Sequence, residues 1–158
     1  MQKRCFLNAA LAFVGTTAMG VPLATLAKAK PKIEVWKTAS CGCCHDWVKH
    51  MEMNGFELKV NDITDAAKST LRAQLGLAEK YGSCHTALIN GYVLEGHVPA
   101  KEVHRLLKER PKALGLSVPG MTIGSPGMDG PDYKGRKDPY SVLLVQRDGS
   151  STSYQAYL

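Results

Sequence analysis

A short strand running straight into Cys41-Gly42-Cys43-Cys44, with a helix opening at those residues, constrains this chain more than any other feature. Ile33 to Thr38 alternates apolar and polar side chains, the period of a half-buried strand. Ala39 to Cys44 then turns into a helix predicted to run to about Asn54. Its apolar positions Cys44, Trp47, Val48 and Met51 fall at i, i+3, i+4 and i+7, and Gly55 supplies the stop. A β-α start of this kind puts the cysteines at the helix N-terminus. Unpaired N–H groups and the positive end of the dipole favour a thiolate there.

The rest of the pattern extends the same plan. Phe56 to Val60 alternates again and reads as a second strand, followed by a helix from Thr64 or Asp65 to Leu75 with Ala67, Leu71 and Leu75 inward. Thr86 to Ile89 and Tyr92 to Glu95 flank Asn90-Gly91, the pair that best fits a type I′ hairpin. Pro99 suits the start of a third helix carrying Val103, Leu106 and Leu107 as its core stripe. The expected order is β-α-β-α-β-β-α, an α/β fold. Gly115 to Lys137, rich in Gly and Pro, reads as a long functional loop or a flexible link, and Tyr140 to Val145 with Thr152 to Tyr157 as a terminal hairpin.

The 158 residues carry +6 formal charge and five cysteines, but the first thirty residues account for part of both. Lys3 and Arg4 precede an Ala-rich apolar run, and Ala27-Lys28-Ala29 reads as a cleavage site. Polar and helix-breaking residues from Asn8 to Pro22 interrupt that run, so a signal peptide over residues 1–29 fits better than a stable membrane anchor. Its removal leaves a single domain over residues 30–158, with Cys41, Cys43, Cys44 and Cys84, and lowers the charge to +3 because only Lys3, Arg4 and Lys28 are lost. No basic stripe with interleaved aromatics remains, so nucleic acid is not an expected partner.

Three thiols within four residues suit a soft ion such as Cu(I), whereas disulfide exchange needs only two. Exchange through Cys41 and Cys44, and a structural disulfide with spare thiols, stay open as alternatives. Zinc on four sulfurs is a further alternative, although Cys-x-Cys-Cys lacks the usual paired Cys-x-x-Cys knuckles. Ser83-Cys84-His85, just before the third strand, brings a fourth sulfur toward the same helix start. Met121 and Met128 follow matching Pro-Gly pairs in the long loop and add thioether donors. His85 reads either as a ligand or its support or as a loop histidine, and His97, at the end of the hairpin, more as a loop residue than as part of the site, while His45, His50 and His104 read as solvated helix residues. No paired carboxylates point to acid/base catalysis, and no Gly-rich phosphate loop points to an organic cofactor.

Together, Cys41-Gly42-Cys43-Cys44-His45, Ser83-Cys84-His85-Thr86, Gly96-His97-Val98-Pro99 and the two Pro-Gly-Met segments resemble the periplasmic CopG-type copper-resistance proteins. The resemblance spans nearly all of residues 33–158. It implies a thioredoxin-like core, a periplasmic location, and Cu(I) held by Cys41, Cys43, Cys44 and Cys84. It also implies other periplasmic copper-handling proteins as partners. His85 stands where thioredoxins carry a proline, which weakens the disulfide-exchange alternative.

Overall fold

The computed structural model describes residues 29–158; the export segment expected over residues 1–29 lies, apart from Ala29, outside the described residues. Strands β1 (Lys32–Lys37) and β2 (Glu57–Asp62) flank helix α1 (Gly42–Met53). Helix α2 (Asp65–Gln74), strands β3 (His85–Ile89) and β4 (Tyr92–Glu95) and helix α3 (Ala100–Glu109) follow in the expected order. Asn90 and Gly91 both have positive φ, as a type I′ turn requires.

The long loop is shorter than expected at its start. Gly115–Ser117 forms strand β5, which pairs parallel to β4 and antiparallel to β6 (Tyr140–Val145). With β7 (Ser151–Tyr157), the described strands make one sheet in the order β2-β1-β3-β4-β5-β6-β7. The terminal hairpin is therefore part of the main sheet. Three residues with one side chain on each face are too short to show an alternating period, so only the pairing partners reveal β5.

The two faces of the sheet bury different layers. Trp47, Val48 and Met51 of α1 and Val103 and Leu106 of α3 close over Ile33, Val35, Ala87, Ile89, Leu94 and Leu116. Burying each large apolar side chain contributes about 1.5–3 kcal/mol, so this layer dominates the stability. Leu77, Tyr81, Val93, Leu114 and Val145 form a smaller cluster on the other face.

Helix α2 corrects the sequence expectation. Its buried residues are Lys68 and Arg72; Ala67 is exposed, and Leu71 and Leu75 are only half-buried. The sheet beneath it presents the Glu95 carboxylate and the Cys84 carbonyl, and long cationic side chains reach these while their stems cover apolar surface.

Candidate metal centre

Cys41 caps the N-terminus of α1 from an extended backbone, and Cys43 and Cys44 occupy the first turn. Trp47 anchors this end of the helix: its indole N–H donates to the Val98 carbonyl at 2.9 Å and its ring lies 4.4 Å from that of His85. Across the gap, Cys84 sits at the end of the segment entering β3. The Cys43 Sγ lies 3.6 Å from Cys41 Sγ and 3.9 Å from Cys84 Sγ. The four sulfurs all fall within 4.8 Å of one another, close enough to hold a metal ion. Cys41 and Cys44 are joined as a disulfide, leaving Cys43 and Cys84 as the free thiols. A site of four thiolates therefore requires that pair to be reduced.

Two histidines complete the arrangement, and both are fully buried. His97 Nε2 lies 3.0 Å from Cys84 Sγ, and His85 Nδ1 lies 3.4 Å from it. The Pro126 carbonyl, 2.8 Å from His97 Nδ1, can only accept, so Nδ1 carries the proton and Nε2 turns its lone pair toward the sulfur. Burial keeps both rings neutral by lowering their pKa values; at His85 the neighbouring His97 adds to the effect. His85 Nε2 is buried without a hydrogen-bond partner. The His85 nitrogen that faces the Cys84 sulfur is Nδ1, and one donor atom each from Cys84, His85 and His97 lie close enough together to hold a cation. Burial, with the nearby Cys43, pushes the Cys84 thiol up to about 12, so metal binding there must release a proton.

The expected methionines part company. Met128 is buried, and its sulfur accepts from the Tyr133 hydroxyl at 3.2 Å. Its loop lies directly on α1: at Gly127, φ +85°, a Cβ would stand 2.6 Å from the Cys43 carbonyl and 2.7 Å from the Trp47 nitrogen. Only glycine allows that approach. Met121 is exposed and borders a cavity next to Cys84. Of the histidines read as solvated, His45 and His104 are exposed. His50 departs from that expectation: it is half-buried and accepts from the Ala100 N–H at the start of α3, which that helix would otherwise leave unpaired.

A buried polar network fixes the Cys84 segment from behind. Glu95 accepts from the Ser83 N–H and the Thr86 hydroxyl, both at 2.6 Å, and pairs with Arg72 at 3.4 Å. Lys68 donates to the Cys84 carbonyl at 2.8 Å. Burial raises the Glu95 carboxyl to about 7 despite these partners. The folded chain then keeps a proton that the unfolded chain releases near 4.5, so stability falls as pH rises through this window. We expect wild-type stability to drop by up to about 3 kcal/mol between about pH 5 and about pH 8 relative to Glu95→Gln, measured by urea denaturation. Equal pH dependence in the two proteins would mean that Arg72 and the two short donors keep Glu95 ionised.

No helix among the described residues is long and apolar enough to cross a membrane. Residues 81–128 match a family model described as a protein of unknown function, DUF411; this stretch holds Cys84, His85, His97 and both loop methionines. No curated protein is significantly similar to the chain. A solved structure titled copper resistance protein copG, form 1, is 41% identical, covers 81% of this chain and 98% of its own, and superposes with a TM-score of 0.73. A second, titled form 2, is 43% identical over 82% of this chain and 99% of its own, with a TM-score of 0.72. At that identity and coverage, the chain belongs to the CopG family of copper resistance proteins.

Proposed function

We propose that this chain is an exported copper-binding protein of copper tolerance, holding Cu(I) through Cys41, Cys43, Cys44 and Cys84 over a domain of residues 30–158. The observation that carries the reading is the convergence of four sulfurs within 4.8 Å from two separate segments. Thiolates are the preferred ligands of Cu(I), and sulfurs this close can bridge neighbouring ions into a small cluster. The helix N-terminus favours the anionic form of its cysteines, and the neutral rings of His85 and His97 offer further donors. The loop carrying Met128 packs against the first turn of α1, and Met121 borders a cavity that Cys84 also lines. The chemistry is sequestration or hand-off by ligand exchange.

Anaerobic Cu(I) titration of the reduced protein, followed by native mass spectrometry, tests this. Copper is expected to stay bound against a competing chelator, and failure to retain it would sink the reading. Export predicts a mature chain beginning at Lys30; intact mass of the protein recovered from the periplasm checks it.

The Cys41–Cys44 disulfide favours one other reading, thiol–disulfide exchange with Cys41 as nucleophile and Cys44 as resolving thiol. Catalytic reduction of a model disulfide, retained in Cys43→Ser, would support it. Under the copper reading no turnover is expected.

A further inference from the structure

The fold covers the sulfur site unevenly: Cys41, Cys43 and Cys84 are half-buried. Cys44, His85 and His97 have no exposed surface. Gly127 rests against the Cys43 carbonyl and the Trp47 nitrogen with no room for a single added carbon, and Met128 is buried behind it. That cover is tied down: Met128 N–H donates to the Ser125 carbonyl at 2.8 Å, and Gly124 N–H to the Met128 carbonyl at 2.7 Å.

A cavity of about 320 Å³ is bordered by Thr38, Lys68, Ser83, Cys84, Gly120 and Met121. Cys84 is the one cysteine on its wall, and the same sulfur lies 3.9 Å from Cys43. It therefore faces the cavity and the cluster at once. Met121 is 60% exposed, although the residue before it is held close: Gly120 N–H donates to the Gly82 carbonyl at 3.0 Å, and the Gly120 carbonyl accepts from the Ser83 hydroxyl. An exposed thioether side chain thus shares a cavity wall with Cys84. The cations on the wall have acidic neighbours, Asp65 at 2.9 Å from Lys68 and Glu79 at 3.8 Å from Arg72.

We infer that this cavity is the port through which Cu(I) enters and leaves, with Met121 as the transient donor and Cys84 as the thiolate shared between port and cluster. The inference rests on the copper reading above and adds the route. A neutral thioether binds Cu(I) more weakly than a thiolate, which suits a donor that must let go. Cu(I) arrives on a carrier's soft donor; the Met121 sulfur bonds to the ion and the carrier's donor leaves. The Cys84 sulfur then bonds to it, releasing its thiol proton to solvent, and the bond to Met121 breaks. Copper stays Cu(I) throughout and no electron is transferred.

Stopped-flow transfer of Cu(I) from its bicinchoninate complex to the reduced protein tests the route. Met121→Leu is expected to slow transfer about tenfold, a rise of about 1.4 kcal/mol in barrier, while leaving the equilibrium affinity at the wild-type value. Met53→Leu, at an exposed position on the far end of α1, should change neither. A wild-type rate in Met121→Leu overturns the port. So does an affinity loss as large as the rate loss, which would make Met121 a resident ligand. Absence of copper uptake by the wild-type protein would overturn the copper reading itself and the port with it.

Discussion

Cys84→Ser is expected to weaken Cu(I) retention by more than about 100-fold, since partners outside the ligand shell are already worth about 10–100-fold in metal affinity. Cys84 is the single sulfur contributed by the segment before β3, and it lies within 4 Å of Cys43, His85 and His97. Serine keeps the size but replaces a soft donor by a hard one, which Cu(I) disfavours. The fold should tolerate the change, because Glu95 and Lys68 hold this segment through backbone groups and the Thr86 hydroxyl, not through the sulfur. Competition against a chromophoric Cu(I) chelator under anaerobic conditions measures the loss, and urea denaturation of the copper-free protein checks the fold. A loss below about tenfold would mean that the three helix cysteines suffice, against the expectation for a lost ligand.

The second large effect is on stability. Gly115→Ala is expected to cost more than about 4 kcal/mol, at the extreme of single substitutions. Gly115 pairs with Val93 across the β4–β5 ladder, and an added Cβ would overlap the Val93 carbonyl, so the strands must separate. Within the sheet β5 bridges β4 and β6, so that separation also loosens the terminal hairpin, leaving it held by its contacts with α3 such as Tyr157 to Glu102. Gly42→Ala, where the added carbon meets open space, should change stability little. Urea unfolding of both variants tests the contrast; similar stability in both would show that the sheet yields at β5 without loss.

The helices and most strands were legible because their burial follows a period long enough to see, as at Trp47, Val48 and Met51. Two failures have clear physical causes. In α2 the pattern pointed to Ala67, Leu71 and Leu75, but the surface beneath is polar, so Lys68 and Arg72 turn inward. β5 has no period at all and exists through its neighbours. The cysteines at 41, 43, 44 and 84 converge as their positions suggested. His97 was undervalued, although the Asn90-Gly91 turn carried the signal: the hairpin register pairs Thr86 with Glu95, and two further steps set Cys84 across from His97. Burial of Met128 was illegible, because it depends on a loop crossing α1 at Gly127.

That crossing has a consequence for how the protein is made. Chains emerge from their N-terminus, so the helix cysteines exist well before the segment that covers them. Until Gly127 arrives and settles on the Cys43 carbonyl, the thiols stand open to any oxidant or competing ion nearby. The finished fold lays one of the later parts of the chain to be synthesised against the helix that bears three of the sulfurs, and the nascent protein has to pass through an interval without that contact.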